Sequence, residues 1–251
     1  MSIDWHHWQE RWDAQQAIYV DRERRFAALL DVLGALAPAE LVVVDLGAGP
    51  GSLTQRLLDR FPRAQVTAVD LDPVLLEMGR ATLGDAGGRL TWIEADLREP
   101  PWVDRLPQRP VHAVVSSTAL HWLPLADLAA TYRTAYQILA PGGVLLNADR
   151  FRFARQRGTI WRTLRQLADA RRERELARGA EGWDAWWSAL GAIEEAQPLI
   201  AERTRRFAWF GAGVEAPSMD MHEAALMDAG FDEVDIVWQD LDARIVAALK
   251  R

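Results

Sequence analysis

The chain has 251 residues, 49% of them hydrophobic and 26% charged, which is ordinary for a globular enzyme of one large domain or of a domain with an insertion. A formal net charge of −7 argues against a general affinity for nucleic acid, because phosphate binding needs a dense basic surface. No apolar run approaches the roughly 20 residues that cross a bilayer, and the first residues lack the pattern of a signal peptide, so we expect no membrane association and a cytoplasmic location. The absence of cysteine excludes disulfides and cysteine-based zinc sites or nucleophiles, and no metal site is predicted.

Two helices are predicted before the first strand. Trp5, Trp8 and Trp12 recur at i, i+3 and i+7 and therefore share one helix face, and Tyr19 follows seven residues later. A second helix over 21–36 carries an apolar face of phenylalanine and leucine, which we expect to pack on a sheet. For the tryptophans, packing in a core and closure over a ligand both remain open.

Residues 41–58 place a strand, a glycine-rich turn and a helix in succession. Three consecutive valines without polar alternation indicate a strand buried on both faces, as in the middle of a parallel sheet. Gly47, Gly49 and Gly51 allow a tight turn and the close approach of a ligand, and the helix that begins near Ser52 offers free N–H groups. The pattern predicts a nucleotide-like ligand, with an ordinary strand-to-helix turn as the alternative.

The acidic residue before this turn distinguishes between nucleotide ligands. Asp45 would repel a pyrophosphate, yet it suits a ligand with an ammonium group at that point. The acidic-x-G-x-G-x-G pattern resembles motif I of the class I S-adenosylmethionine (SAM) methyltransferases. The resemblance implies SAM as the cofactor, with its methionine end held by Asp45, Gly47, Ala48, Gly49 and Gly51.

The second strand, predicted over 65–72, ends in acidic residues. Because ligands in such sheets bind beyond the carboxyl ends of the strands, Asp70 can accept hydrogen bonds from both hydroxyls of a ribose. The matching residue does this in the resembled family, which implies that Leu71 lies against one face of the adenine. Asp72 directly precedes Pro73, the predicted first residue of the next helix, and is interpreted as a helix N-cap in preference to a ligand contact.

The third strand, predicted over 89–96, also ends in a carboxylate. Asp96 can accept the exocyclic amine of adenine while the backbone N–H of Leu97 serves a ring nitrogen, and the two residues match the third SAM motif of the family. Acidic residues at comparable positions after two successive strands support a nucleotide site together more strongly than either does alone.

Residues 111–123 are predicted to form the fourth strand and the turn after it. In the resembled fold the carboxyl end of this strand points at the transferable methyl group, which makes Ser116 a candidate cofactor contact and Trp122 a candidate pocket residue. The segment resembles that of methyltransferases acting on small carboxylates and natural-product hydroxyls, and it lacks the Asn/Asp-Pro-Pro-Tyr/Phe signature of enzymes that methylate base amines. His121 could take a proton from a substrate hydroxyl, or it could pack under the next helix or contact SAM.

Residues 151–217 interrupt the alternation of strands and helices and are predicted to form a helical cap above the acceptor pocket. Ten arginines between positions 150 and 178 stand against three acids, and we interpret most as a solvated face and a few as contacts to an anionic acceptor. The cap and a lid formed by the N-terminal helices make Trp8, Tyr19 and Trp186 candidate pocket residues. Arg24 is the candidate for the carboxylate of the SAM methionine moiety.

The C-terminal segment is predicted to contain a helix that ends near Gly230 and two strands that a short turn forces to pair antiparallel. His222, in that helix, is interpreted as a surface or lid contact. The predicted fold class is α/β, with a doubly wound, mostly parallel seven-stranded sheet, an antiparallel C-terminal hairpin and a helical cap. Such a hairpin separates class I methyltransferases from dinucleotide-binding dehydrogenases.

The predicted organisation has four segments: an N-terminal helical lid (1–38), a SAM-binding core (39–150), a helical cap insertion (151–217) and a C-terminal helix with strands that complete the core (218–251). The resemblance implies methyl transfer to a hydroxyl or carboxylate of an aromatic or natural-product-like small molecule. A SAM-binding protein without methyl transfer and, less favoured, a nicotinamide-dependent dehydrogenase are the alternatives. The sequence leaves open whether the protein is a monomer or a homodimer.

Overall fold

The computed structural model describes residues 3–16, 18–19, 21–151, 158–210 and 216–251, and every structural statement below refers to these. Its strands are β1 (Val42–Leu46), β2 (Gln65–Asp70), β3 (Leu90–Glu94), β4 (Val111–Ser117), β5 (Leu139–Arg150), β6 (Glu233–Asp240) and β7 (Ala243–Leu249). Its α-helices are α1 (Trp5–Gln16), α2 (Arg22–Leu36), α3 (Ser52–Arg60), α4 (Pro73–Leu83), α5 (Leu125–Ile138), α6 (Thr159–Ala177), α7 (Trp183–Gly191), α8 (Gln197–Arg206) and α9 (Met219–Ala229). None of these helices is long and apolar enough to cross a membrane.

The seven strands form one sheet in the order β3-β2-β1-β4-β5-β7-β6. Strands β1 to β5 pair in parallel, and β7 runs antiparallel to both of its neighbours, β5 and β6. The predicted fold class is therefore confirmed. The chain crosses from one side of β1 to the other between β3 and β4, so β1 lies at the point where open α/β sheets bind ligands beyond their carboxyl ends.

Helices cover both faces of this sheet because the central strands β1, β2 and β4 present buried side chains on both sides. On one face, α5 and α9 contribute residues such as Leu128, Tyr132 and Leu226 to the core. On the other face, α2 and α3 contribute Phe26 and Leu57, which are 4% and 0% exposed. Helix α2 is thus a sheet-covering helix, as the leucine pattern predicts, and α1 is the part of the proposed N-terminal lid that lies apart from the sheet.

Tryptophans join α1 to the cap. Trp8 and Trp12 of α1 meet Trp186 of α7 with ring centroids 5.5 and 5.1 Å apart, and both helices pack against α4. Trp8 and Trp186 are 5% and 0% exposed and do not line the central cavity, so the prediction that they form the acceptor pocket is wrong. The two rings pack edge to face, with an interplanar angle of 90°, between α1 and the cap.

Strand β5 is irregular near its start. Pro141, Gly142 and Gly143 lie within the strand, where the pairing register with β4 shifts and Gly142 takes a φ of 77°. Of the arginines in the predicted basic region, Arg152, Arg155 and Arg157 lie outside the described residues. The division of the chain into four segments stays a prediction.

His222 lies in the core, not on the surface as predicted. The Tyr132 hydroxyl lies 2.7 Å from its Nδ1 and accepts a hydrogen bond from Asn147 Nδ2 at 3.0 Å. The imidazole is 1% exposed, and burial lowers the pKa of His222 to about 4. His222 is therefore neutral at physiological pH, and its Nδ1 accepts the Tyr132 proton.

This burial predicts an acid-sensitive contribution to folding stability. An unfolded histidine protonates near pH 6.5 while the folded His222 stays neutral until about pH 4, so stability is complete above pH 6.5 and is lost as the pH falls towards 4. The loss amounts to up to about 3 kcal/mol. In H222Q, whose side-chain oxygen can still accept from Tyr132, we expect the free energy of unfolding to fall less between pH 7 and pH 4.5. Urea titrations of both proteins at the two pH values measure this; equal losses would contradict the assignment.

Candidate functional site

A cavity of about 930 Å³ lies at the carboxyl ends of β1, β2, β3 and β4. Eleven of the residues predicted from the sequence line it: Asp45, Gly47, Ala48, Gly49, Asp70, Leu71, Asp96, Leu97, Tyr19, His121 and Trp122. One wall is built from the loops after the strands, and the opposite wall from α1, the segment before α2 and the cap. The topology thus brings together residues that are distant in the sequence.

The glycines of the turn after β1 have different roles, because one lines the cavity and another packs against the core. Gly49 has a φ of 56° and lines the cavity, where an added Cβ would meet only Leu75 at 3.7 Å. Gly51 does not line the cavity; a Cβ there would lie 2.6 Å from Leu83 and 2.9 Å from Trp92. Gly51 is therefore needed for packing of the turn against α4 and β3, and the prediction that it contacts the cofactor is not supported.

Asp45 is a buried carboxylate in the cavity wall. Its Oδ2 accepts a hydrogen bond from the Thr54 hydroxyl at 2.7 Å, and its Oδ1 has no hydrogen-bond partner among the described residues. Burial, together with the charge of Asp70, raises the pKa of Asp45 to about 7. A ligand ammonium would supply the missing partner and would favour the ionised form, which fits the predicted role.

Asp70 joins the loops that follow β1 and β2. Its Oδ2 accepts the Gly49 N–H at 2.6 Å and its Oδ1 accepts the Asp72 N–H at 2.8 Å. Burial and the nearby charge of Asp72 raise the pKa of Asp70 to about 6. Each carboxylate oxygen keeps a further lone pair, so the group can accept two ribose hydroxyls without losing its backbone donors. Asp72 itself accepts from the Val74 and Leu75 N–H groups, which confirms it as the N-cap of α4.

Asp96 follows β3 and is held by one neighbour. Arg98 donates from Nη2 to Oδ2 at 2.6 Å and from Nε to Oδ1 at 3.0 Å, and its backbone N–H also reaches Oδ1. Burial would raise the pKa of Asp96, but these hydrogen bonds and the charge of Arg98 outweigh it and hold the pKa below its usual range. The carboxylate is therefore ionised and fixed beside Leu97.

The order of the strands sets the order of these groups along the sheet edge. Asp96 follows β3, Asp70 is the last residue of β2 and Asp45 is the last but one residue of β1. These strands are neighbours, so a ligand lying across their ends meets acceptors suited to a base amine, a ribose and an ammonium in turn. These residues fit S-adenosylmethionine, and the unpartnered Asp45 Oδ1 is the observation that tests the fit most directly. His121 follows β4, on the other side of β1.

His121 forms a pair with Asp149, a residue that the sequence interpretation missed. The imidazole Nδ1 lies 2.8 and 3.0 Å from the two carboxylate oxygens, and the His121 backbone N–H also reaches Asp149 at 3.2 Å. Burial would raise the pKa of Asp149, but the charge and hydrogen bond of His121 outweigh it and lower the pKa. An ionised carboxylate only accepts hydrogen bonds, so Nδ1 carries the proton and Nε2 is the basic nitrogen.

Two predicted cofactor contacts lie elsewhere. Ser116 is 2% exposed and its hydroxyl donates to the Leu46 carbonyl at 2.7 Å, while the next residue, Ser117, lines the cavity because successive strand side chains face opposite ways. The Arg24 side chain is 71% exposed, lies 3.7 Å from Asp240 and does not line the cavity. Arg22 is the arginine of α2 that lines it.

Several residues that line the cavity were not predicted. Trp12, Trp161, Trp183 and Trp209 line the cavity with Trp122, and arginines of the core and the cap, Arg150, Arg165 and Arg172, stand among them. The i, i+3, i+4 spacing of the cap tryptophans signals a shared face but not which ring turns towards the cavity. An acid at the carboxyl end of β5, next to β4 in the sheet, was the available signal for Asp149.

Known proteins resemble this chain in sequence and fold. Residues 43–143 match a family model described as a methyltransferase domain. A trans-aconitate 2-methyltransferase of Streptomyces coelicolor is 37% identical over 161 residues, which are 63% of this chain and 50% of that protein. A carboxy-S-adenosyl-L-methionine synthase of Chromohalobacter salexigens is 30% identical over 246 residues, 93% of this chain and 80% of that protein.

The solved structures support the same fold. An O-methyltransferase family protein from Burkholderia thailandensis superimposes with a TM-score of 0.59 at 16% identity, covering 94% of this chain and 58% of that one. The chain spans about half the length of the trans-aconitate 2-methyltransferases that it matches.

The raised pKa of Asp45 predicts that this residue destabilises the ligand-free protein increasingly as the pH rises from about 4 to 7. An unfolded Asp45 ionises near pH 3.8 and the folded one near 7, so the penalty is absent at low pH and grows as the pH rises to 7, to up to about 4 kcal/mol. In D45N we therefore expect a gain in the free energy of unfolding over wild type that is larger at pH 8 than at pH 4.5.

Urea unfolding at both pH values measures the gain, with D59N as the matched control because Asp59 is an exposed residue of α3. The control should show little change at either pH. If the gain in the free energy of unfolding of D45N were the same at pH 4.5 and pH 8, ionisation of Asp45 would not destabilise the fold.

Proposed function

Because this chain belongs to the class I S-adenosylmethionine-dependent methyltransferase family, we propose that it transfers the methyl group of SAM to a small-molecule acceptor. This family membership argues against the alternative hypothesis that the chain is a nicotinamide-dependent dehydrogenase. The observation that carries the proposal is the convergence of Asp45, Asp70 and Asp96 at one edge of the sheet, with the His121–Asp149 pair at the ends of the neighbouring strands β4 and β5.

The residues divide between the two reactants. Asp45 and the glycine turn would hold the methionine end of the cofactor, Asp70 the ribose, and Asp96 with Leu97 the adenine. Bound SAM supplies a methyl group on a positively charged sulfur, which is already a strong electrophile. The protein's task is to orient the acceptor towards that group and to exclude water, and in-line positioning contributes much of the acceleration.

The acceptor that we propose is a hydroxyl or a carboxylate of an aromatic or natural-product-like compound. Tryptophan rings in the cavity wall offer large contact areas at little conformational cost, which suits a flat apolar acceptor. Arginines in the same wall suit an acceptor that also carries a carboxylate. The name of the Streptomyces coelicolor relative, a trans-aconitate 2-methyltransferase, is in keeping with a carboxylate acceptor.

The acceptor decides what His121 does. A hydroxyl must lose its proton as the new bond forms, and Nε2 of an imidazole oriented by Asp149 can take it. A carboxylate is ionised already, so its methylation needs no base and His121 then acts as part of the pocket wall. The geometry supports both roles.

A second candidate reaction modifies SAM itself. A relative whose match extends over 93% of this chain is named a carboxy-S-adenosyl-L-methionine synthase, so carboxylation of SAM is a specific alternative to methyl transfer. In that reaction a second substrate, a carboxylate that can lose CO2, supplies the carboxyl group, and the SAM methyl carbon loses a proton as the new carbon–carbon bond forms. Binding of SAM without any transfer is the third possibility. All of these need the same cofactor site, and they differ in their products.

Cofactor binding is the first measurement. We expect S-adenosylhomocysteine, titrated by calorimetry, to bind the wild type in the micromolar range, and D70A to bind it about 5- to 30-fold more weakly, because one to two kcal/mol of charge-assisted hydrogen bonds is lost. D59N serves as the control and should bind as the wild type does. Absence of wild-type binding to both S-adenosylhomocysteine and SAM would end the proposal.

Product analysis then separates the candidates. The protein is incubated with SAM and a panel of aromatic hydroxyls and carboxylates, in which each carboxylate is offered both as a methyl acceptor and as a carboxyl donor, and the products are identified by mass spectrometry. A methylated acceptor supports methyl transfer, and SAM that has gained a carboxyl group supports the second candidate. SAM binding with neither product would favour a binding protein.

The His121–Asp149 pair predicts an acceptor-dependent mutational effect. With a hydroxyl acceptor we expect H121Q and D149N each to lower kcat by about 100- to 10,000-fold, because D149N lets Nδ1 accept a hydrogen bond and moves the proton to Nε2. With a carboxylate acceptor the loss should stay below about tenfold. Steady-state kinetics with both acceptor types measure this, and unchanged affinity for S-adenosylhomocysteine is the control. Equal losses with both acceptor types would rule out the base.

A further inference from the structure

Helix α8 of the cap is attached to the loops that follow β2 and β3. Arg203 Nε donates to Asp72 Oδ2 at 2.6 Å, next to the end of β2. Arg206 donates to the Leu71 carbonyl at 3.0 Å and pairs with Glu94 of β3 at 2.6 Å. The cap is therefore held above the two strand ends that would carry the ribose and the adenine, not only above the acceptor side.

The chain directly after α8 continues this contact. The guanidinium carbon of Arg98 lies 3.9 Å from the centroid of the Trp209 ring, while the edge of the same guanidinium is hydrogen-bonded to Asp96. A planar guanidinium can use its edge for a carboxylate and its face for an aromatic ring at once. Arg98 thus connects Asp96 of the core, to which it is hydrogen-bonded, with Trp209 of the cap, on which it stacks.

Aromatic rings extend from this stack towards the reaction side of the cavity. Trp209 lies 5.8 Å from Phe210, and Phe210 lies 4.3 Å from Trp122, measured between ring centroids. Phe207, at the end of α8, is 6.4 Å from both Trp209 and Trp122. Trp122 follows His121 directly, so residues 207–210 span the cavity from the Asp96 end to the His121 end.

We propose that Trp209 is a cofactor-binding residue and that its indole, held by Arg98, forms a wall of the adenine pocket supplied by the cap. Trp209 lines the same cavity as Asp96, Leu97 and Leu71, the residues that would contact the adenine. Arg98 is then a positioning residue, because it fixes both the Asp96 carboxylate and the Trp209 ring. The inference rests on the proposed function, since it assigns residues to the cofactor of that reaction.

The adenine pocket would then be formed by two parts of the fold, the core and the cap. The core supplies polar groups for the adenine edge, and the cap supplies an aromatic face. Cofactor binding would then stabilise the position of α8 and residues 207–210 over the cavity. If Trp209 only packs within the cap and does not contact the adenine, its loss would change cofactor affinity only indirectly, by altering the acceptor side of the cavity or by destabilising the cap.

Two ligands distinguish these possibilities. S-adenosylhomocysteine carries adenosine and the amino acid, whereas 5′-methylthioadenosine carries the adenosine without the amino acid. In calorimetric titrations we expect W209A to weaken both ligands by the same factor, about 10- to 100-fold, as loss of a base-stacking aromatic ring does. We expect W209F to stay within about threefold of the wild type, because phenylalanine keeps a stacking face, and R98Q to weaken both ligands by an intermediate factor.

W238F is the matched control, because Trp238 lies on β6, packs against the core and does not line the cavity. It should bind both ligands as the wild type does. Wild-type affinity in W209A, or a loss confined to S-adenosylhomocysteine, would overturn the assignment. Failure of the wild type to bind S-adenosylhomocysteine would instead remove the proposed function, so the two failures are distinguishable.

Fluorescence supplies a test that does not need the alanine variant to fold. We expect adenosine-containing ligands to quench tryptophan emission in the wild type and in W238F, and the quenching to be largely lost in W209F. Equal quenching in W209F and W238F would show that Trp209 is not in contact with the bound base.

Discussion

The hydrogen bond from the Gly49 N–H to the Asp70 carboxylate is the contact on which the geometry of the site depends. It spans 2.6 Å and ties the turn after β1 to the end of β2, and the Asp72 N–H holds the other oxygen of the same carboxylate. Two loops that could move independently are thereby fixed to each other. The arrangement buries two carboxylates close together, and burial is the main reason that the pKa values of Asp45 and Asp70 are raised; the charge of Asp70 adds to the rise for Asp45, and the charge of Asp72 adds to the rise for Asp70. A cationic ligand offsets the cost of burying these charges, so the site is stabilised by the molecule that it would bind.

The elements that could be predicted from the sequence are those whose signals are local. A run of valines, a glycine turn and an acid at the end of each of three strands are contiguous patterns, and the sheet places their side chains at one edge whatever the rest of the chain does. The antiparallel hairpin followed from a connection too short for anything else. For the same reason Asp72 could be recognised as an N-cap from its position before Pro73.

The errors have a common cause in side-chain direction. Ser116 and Ser117 differ by one step of a strand, and only pairing with the neighbouring strands decides which faces the cavity. Trp8 and Trp12 share a helix face, yet α1 is rotated so that Trp12 reaches the cavity while Trp8 packs against α7. The His121–Asp149 pair joins residues 28 positions apart through the adjacency of β4 and β5, which no local pattern encodes. Propensity and spacing locate such residues on an element, and tertiary packing decides which way they point.

Two polar side chains of strand β5 are connected by hydrogen bonds to two histidines. Asn147 reaches His222 through the Tyr132 hydroxyl, and Asp149, two residues further on, holds His121. The charge of Asp149 favours protonation of His222, and a charged His121 opposes it. Burial outweighs the charge of Asp149 and keeps His222 neutral. The two histidines held by this strand therefore differ in what can reach them: His222 is enclosed by the core, whereas His121 lines the cavity and is open to a ligand.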